Sequence, residues 1–398
     1  MSVIPILSVV IATHNRSEYA IQAVKSALNI KSEFIEIILH DTSTDGKLPL
    51  NIEPQLHDCR LRYYHCDIRL SMTENHHRAL SMAKGEYICM IGDDDTISFE
   101  ILEAVQWAIK NNIEAISSKV IASYYWPDFR SKTFGAGHAN RLYLSSFTST
   151  ITTSDCLCSL KSSLEAACQG TDGLPKIYHG IVKRSVMERI KSKAGSYFFG
   201  VSPDISGAIG VALMTNSFSQ FDYPLTIAGG AGNSNSGRSA MNSHRGKLED
   251  DPHIKPYKNL IWPELIPRFF SVETVWGQAA YETLIKLDSE KIKSFNFIYL
   301  YSVCIINHPT YYKEIFKALN YYKNNYEINT SNSFYKFFQS VIGLSFKKII
   351  RLGRRALKPT AAGGLMFIPC VENIFDAGEA LKIYLNKKNV SLKIMLKS

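Results

Sequence analysis

The chain reads as an α/β protein: a doubly wound, mostly parallel sheet followed by a mainly α-helical C-terminal region. Three observations predict it. Apolar, β-rich runs alternate with helix-periodic segments at short spacing between residues 7 and 91. Each of these runs ends in a polar cluster, at the strand edge where such sheets bind ligands. After residue 230 the strand signals give way to helical and aromatic segments.

Taken in order, Leu7 to Thr13 (LSVVIAT) is a buried strand, and His14-Asn15-Arg16-Ser17 follows it. Glu18 to Leu28 is an amphipathic helix, with Tyr19, Ile21, Ala23, Val24 and Leu28 facing inward. Phe34 to Leu39 is the second strand and runs into His40-Asp41-Thr42-Ser43-Thr44-Asp45-Gly46. Leu61 to Cys66 is a third. Ser71 to Ala83 is helical and closes on Lys84-Gly85. Tyr87 to Ile91 is a wholly apolar strand that ends in Gly92-Asp93-Asp94-Asp95. Glu114 to Ser123 reads as a fifth strand, Ile177 to Lys183 as another, and Pro224 to Ala228 closes the sheet region.

The three acids carry the chemical information. Negative charge beside an apolar core is costly unless a cation neutralises it. Hard oxygen ligands at a strand's carboxyl end suit Mg²⁺ or Mn²⁺, and such an ion commonly holds a diphosphate. An acidic loop, or an aspartate capping a helix, is the plain alternative. Three polar clusters, around Thr13 to Arg16, Asp41 to Ser43 and Asp93 to Asp95, are expected to converge on one edge.

These pieces together resemble family 2 glycosyltransferases of the GT-A fold. The matching segments are VVIATHNR, HDTSTDG, Asn75 with the Ala79-to-Ala83 helix, and GEYICMIGDDD, covering residues 5 to about 100. The resemblance implies a nucleotide-sugar donor, with Thr13, Asn15, Arg16 and Asp41 around base and ribose. It implies that Asp93, Asp94 and Asp95 hold ribose and a metal-bound diphosphate, with Asp93 and Asp95 as metal ligands. Two departures stand out. His40 occupies a place that is often acidic, and Thr42 one that is often glycine, which leaves the base open, with UDP favoured. The first acid of the usual motif falls on Gly92, so the working pair is Asp93 with Asp95, or Asp94 with Asp95.

Asp204 follows Pro203 at the start of a small-residue helix. It reads as an N-cap, or as the general base that takes the proton of an acceptor hydroxyl during an inverting displacement. The family resemblance favours the second role; Glu188 and Asp172 are alternatives. Gly229 to Ser243 is rich in Gly, Ser and Asn. It is a passive linker, or a loop closing over the donor that brings Arg238, His244 or Arg245 to the diphosphate. By resemblance, His244 is the candidate for a further metal ligand. The acceptor implied is a growing bacterial surface glycan, of capsule or lipopolysaccharide type, free or lipid-linked. A sugar-phosphate nucleotidyltransferase and a non-catalytic sugar-nucleotide-binding scaffold are the rival readings. The first is expected to carry a glycine-rich, basic signature after the first strand, where Thr13-His14-Asn15-Arg16 stands instead.

Composition bounds the rest. A chain of 398 residues exceeds one ordinary core, so two units are expected: residues 1–230 for donor binding and catalysis, and 231–398 as a helical region. No run of 18 apolar residues occurs, and the N-terminus lacks a basic segment followed by an apolar one. Eight scattered cysteines suit reduced, buried thiols and a cytoplasmic setting. Residues 333–398 hold twelve Lys and Arg against three acids, so the whole net charge of +9 lies there. Within it, 338–358 has six bases and no acid, with apolar residues at helical spacing. Such a helix lies on an anionic membrane surface, or docks on the protein with its basic face solvated. Nucleic acid is not an expected partner, since no recognition motif accompanies the charge.

Overall fold

The computed structural model describes residues 4–119, 121–326 and 330–397. The first part alternates as expected: β1 (Leu7–Thr13), α1 (Ser17–Leu28), β2 (Ile35–Asp41), α2 (Lys47–Ile52), β3 (Leu61–His65), α3 (Met72–Ser81) and β4 (Tyr87–Ile91). Then come β5 (Thr96–Ile97), α4 (Ile101–Lys110), β6 (Ala115–Ser118), β7 (Ala122–Tyr125), β8 (Arg141–Leu144), β9 (Ile151–Asp155), α5 (Cys156–Glu165), β10 (Gly180–Lys183), α6 (Arg184–Ala194), α7 (Pro203–Met214), β11 (Ser217–Phe221), β12 (Thr226–Gly230) and α8 (Asn235–Ala240). The C-terminal region holds α9 (Val272–Leu287), α10 (Phe297–Asn307), α11 (Tyr312–Tyr326) and α12 (Thr330–Ala356), and ends with β13 (Met366–Ile368), α13 (Ile374–Lys387) and α14 (Leu392–Met395).

The main sheet runs β3-β2-β1-β4-β10-β6-β11-β9. Its first four strands are parallel, as their helical crossovers require. β10 enters antiparallel between β4 and β6. Along β1, Val10 packs to one face and Val9 and Ile11 to the other, the alternation a strand imposes. Helices α3, α6 and α7 and the C-terminal helices α9 and α10 cover the first face, and α1, α4 and α13 cover the second.

Three features differ from the sequence reading. The expected strand over 114–123 divides: Ala115–Ser118 stays in the main sheet, while Ala122–Tyr125 joins a second sheet of order β13-β8-β7-β12-β5. The strand expected from Ile177 begins only at Gly180. His179 has a left-handed backbone, and a side chain at Gly180 would lie 1.9 Å from the Lys176 carbonyl oxygen. The division at residue 230 is also crossed. β13 pairs with β8, and Ile374, Ala377, Leu381 and Leu385 of α13 sit in the same core as Leu7, Val9 and Ala20. The physical reason is that α13 carries an apolar stripe at i, i+3, i+7 and i+11, which α1 and the second sheet bury.

Helix α12 packs through Phe337 near its start, against Phe316 and the Ser302 region of α10. Val341 is half-buried against the same core, while Phe338, Ile342, Phe346 and Ile349, on another side of the helix, turn to solvent. Among the described residues no helix is long and apolar enough to cross a membrane.

Candidate functional site

Register brings the polar clusters together. Thr13 lies level with Asp41, and Ile11 with Ile91, so the chain beyond β4 passes beside the end of β1. The Thr13 hydroxyl donates to Asp93 Oδ2 at 2.6 Å. Asn75, on α3, staples the two strand ends: its Nδ2 donates to the Thr13 carbonyl at 3.0 Å, and its Oδ1 lies 2.6 Å from His40 Nδ1. His40 thus spends one ring nitrogen on Asn75, and burial lowers its pKa.

Arg16 supplies the cation that the three acids demand. One terminal nitrogen lies 2.6 Å from Asp93 Oδ1 and the other 3.0 Å from Asp94 Oδ2. Burial alone would lower the Arg16 pKa, but Asp93 and Asp94 outweigh it and hold the guanidinium charged. Its plane lies over Tyr19, 4.8 Å from the ring centre, and Tyr19 donates to Asp128. The Nε and Nη2 of Arg16 are buried and make no hydrogen bond, Nη2 meeting Asp94 only as an ion pair, so donor capacity stays unspent beside the acids.

Asp95 is locked differently. Its Oδ1 accepts from the Gly229 amide at 2.6 Å, and its Oδ2 accepts from the Gly92 amide at 2.6 Å and the Tyr178 hydroxyl at 3.0 Å, with His179 Nε2 at 3.1 Å. Burial pushes this carboxyl up, but His179 and the two amides more than offset that, and it ends below the usual range. Asp94 is the least satisfied of the three. Its Oδ2 accepts from the Ala231 amide at 3.1 Å, while its Oδ1 accepts no hydrogen bond among the described residues. Burial raises its carboxyl to about 7 in spite of Arg16. The Asp93 carboxyl is also raised by burial, against the pull of Arg16.

The donor set therefore fits a hard divalent ion at one protein oxygen, Asp94 Oδ1. Among the described residues no three His, Cys, Asp or Glu side chains form a metal cage, and an ion that keeps waters and phosphate oxygens needs only one or two carboxylates. Of the expected metal ligands, Asp93 and Asp95 have both oxygens engaged by protein donors, whereas Asp94 keeps Oδ1 open. His244 lies elsewhere: its Nδ1 is 3.0 Å from Ser239 Oγ and its ring packs on Phe270 at 4.9 Å. Burial and then Arg238 lower its pKa to about 4. Arg238 itself pairs with Asp251 at 2.5 Å.

Asp41 is fully buried and internally satisfied. Its Oδ1 accepts from the Ser43 amide at 2.7 Å, and its Oδ2 accepts from Tyr63 at 2.9 Å and faces His65 Nδ1 at 3.0 Å. Asn15 has a left-handed backbone (φ 54°) and its Oδ1 accepts from the Thr44 amide at 2.8 Å, which fixes the loops after β1 and β2 against each other.

Asp204 is the second residue of α7, and the N-cap position belongs to Ser202. Its one hydrogen bond among the described residues comes from the Ser202 hydroxyl, so no helix amide occupies its carboxylate. Burial pushes the Tyr178 hydroxyl well up, and the charges of Asp95, Asp94 and Asp204 all add to that. His76 and His253 also feel Asp204, and burial lowers both. Each spends one ring nitrogen on a backbone carbonyl, His76 on Met72 at 2.8 Å and His253 on Val201 at 2.7 Å.

Sequence reasoning missed Tyr178, His179, Trp126 and the first residues after β12. Trp126 Nε1 donates to the Asp94 carbonyl at 3.1 Å. A side chain at Gly229 would meet that same carbonyl oxygen at 1.8 Å, so the strand needs glycine there to pass. The Gly-rich composition was a signal for a close approach of backbone; nothing in spacing pointed to Tyr178 or His179.

Carboxylates, an arginine and backbone amides gather outside the carboxyl ends of parallel strands, the edge at which α/β sheets bind ligands. Residues 8–157 match the family model for glycosyl transferase family 2. The chain is 37% identical over 92 residues to WcaA of Escherichia coli K12, a glycosyl transferase named for colanic acid biosynthesis, which covers 23% of the chain and 33% of WcaA. It is 29% identical over 121 residues to the glycosyltransferase GlyG of Streptococcus pneumoniae serotype 4, covering 30% of the chain and 39% of GlyG. The chain thus spans about a third of the length of these relatives in the matched part. A crystal structure of S. aureus TarS 1–349 in complex with UDP-GlcNAc aligns with 95% of the chain and 92% of TarS 1–349, at 15% identity and a TM-score of 0.47.

Proposed function

We propose that the chain is a metal-dependent glycosyltransferase that moves a sugar from a nucleotide donor, UDP-linked by preference, to a hydroxyl of a growing bacterial surface glycan, with inversion. One observation carries the reading. Asp94 presents an unengaged carboxylate oxygen, and Arg16 an unspent buried Nε–H, on the strand edge that also carries Thr13, Asn15 and Asp41.

The residues divide the work. Asn15 and Arg16 shape the nucleoside side, and Thr13 steadies Asp93 beneath it. Asp41 acts by ordering Ser43, Tyr63 and His65 around the base. Arg16 and Asp94 face the diphosphate; Mg²⁺ or Mn²⁺ held there supplies Lewis-acid stabilisation of the leaving group. Tyr178, His179 and Gly229 keep Asp95, and with it the turn, in place. Asp204 takes the acceptor proton, and its freedom from cap duty supports that role.

Calorimetry of the whole chain with UDP and Mn²⁺ tests the donor half. Binding is expected with Mn²⁺, with a loss of tenfold or more in chelator or in Asp94→Asn; equal uptake in all three would overturn the site. For the base, Asp204→Asn is expected to lower kcat of transfer by ~10²–10⁴ while UDP affinity stays within about twofold. A variant with unchanged kcat would remove Asp204 from the mechanism.

A further inference from the structure

We infer that α12 is a membrane-docking helix that lays an outward apolar face on an anionic lipid surface. The sequence left two postures open for 338–358, and they differ in which face is hidden. A helix docked on the protein hides its apolar side. Here, beside the buried Phe337 and the half-buried Val341, a whole apolar stripe is left outward: Phe338 is 55% exposed, Ile342 69%, Phe346 64% and Ile349 65%, with Leu357 further along in the same condition. These side chains recur at helical spacing on one face of a helix about 40 Å long. The attachment to the body lies on another face, through Phe337, the half-buried Val341 and the Lys348 ammonium, which donates to Asn307 Oδ1 at 2.9 Å. Near the far end, Arg355 donates to the Lys358 and Thr360 carbonyls and lies over Phe134, which holds that end to the body.

The charge on the same helix selects the occupant. Lys347, Arg351, Arg354 and Lys358 form a second exposed stripe, and no acid occurs between residues 330 and 371. An apolar face bearing Phe and Ile with a Lys/Arg polar face is the pattern of an interfacial helix. The long basic side chains reach headgroups while the stem lies along apolar surface. A second copy of the chain would set two uniformly basic helices side by side, without acids on either to offset them. This inference is independent of the glycosyl-transfer reading, since vesicle binding needs no nucleotide.

Flotation of the full chain with vesicles of phosphatidylcholine alone, or with phosphatidylglycerol added, tests it. Binding is expected on the anionic vesicles and is expected to fall steeply with salt. The pair Phe346→Glu with Ile349→Glu is expected to weaken it by tenfold or more. Each of Lys347→Gln, Arg351→Gln and Arg354→Gln is expected to cost about fivefold. All five positions are exposed, so the thermal midpoint stays unchanged as the control for folding. Equal flotation of wild type and the Glu pair overturns the inference. A concentration-dependent dimer that the Glu pair abolishes, without vesicle binding by the wild type, also overturns it and assigns the face to a second copy.

Discussion

Arg16 shows how single residues keep the acidic turn affordable. It binds two carboxylates that sit almost wholly out of water, and each would otherwise face a desolvation cost alone. Arg16→Met leaves Asp93 and Asp94 without their cation and is expected to destabilise the fold by about 3–5 kcal/mol. Adding Asp93→Asn to that variant removes one orphaned charge and is expected to restore part of the loss. Urea unfolding of the two single variants and the double one gives the coupling; strictly additive effects would mean that the pair does not interact. Gly229 is the second sensitive position. Gly229→Ala forces a methyl into the Asp94 carbonyl, with an expected cost of about 1–3 kcal/mol and weakened nucleotide uptake, because the amide that holds Asp95 moves with it.

At the scale of elements, α9 and the end of α10 are joined by hydrogen bonds to the Glu273 carboxylate. Glu273, in the first turn of α9, accepts from His308 Nε2 and Asn307 Nδ2, both at 2.8 Å. Burial would raise this carboxyl, but His308 and Asn307 more than offset it and hold it at about 2. A depressed folded-state pKa contributes stability above the ordinary glutamate value, and that contribution is lost as pH falls through about 2. The stability difference between wild type and Glu273→Gln is therefore expected to shrink between about pH 4.5 and 2. Chemical unfolding at a series of pH values checks it; a difference that grows on acidification would contradict the assignment. The α12 helix belongs to this scale as well, since its exposed face has meaning only along several turns.

Over the whole molecule, the chain closes on itself. After the helices of the C-terminal region, β13, α13 and α14 return to the second sheet and to α1 and α4. Glu100 fastens this return: its Oε1 accepts from the Ser391 hydroxyl at 2.8 Å and the Leu392 amide at 3.0 Å, and its Oε2 from the Tyr223 hydroxyl. Deleting 372–398 uncovers the core under Ile374, Ala377, Leu381 and Leu385. It is expected to cost several kcal/mol and to lower the thermal midpoint of the N-terminal sheet. Glu100→Ala, which removes only the fastening, is expected to cost about 1–3 kcal/mol. A truncated chain that unfolds at the wild-type temperature would show that the C-terminal helices only rest on the surface.

Much of this was legible in the residues. The alternation of β1 to β4 with their helices, and the convergence of Thr13, Asp41 and Asp93 on one edge, follow from local periodicity and from the rule that parallel strands share a direction. The demand of three carboxylates for a cation was likewise written in the chain. What answers that demand was not: Arg16, Tyr178, His179 and the Gly229 and Ala231 amides meet the acids through contacts spanning up to 137 residues, and periodicity carries no information about such pairs. The sequence determined the sheet, the acidic turn and the basic helix. Only tertiary packing decided that Asp94 keeps the open oxygen, that α13 completes the core beneath Leu7 and Val9, and that an apolar stripe of α12 is left to solvent, because each depends on which distant surface arrives to cover it.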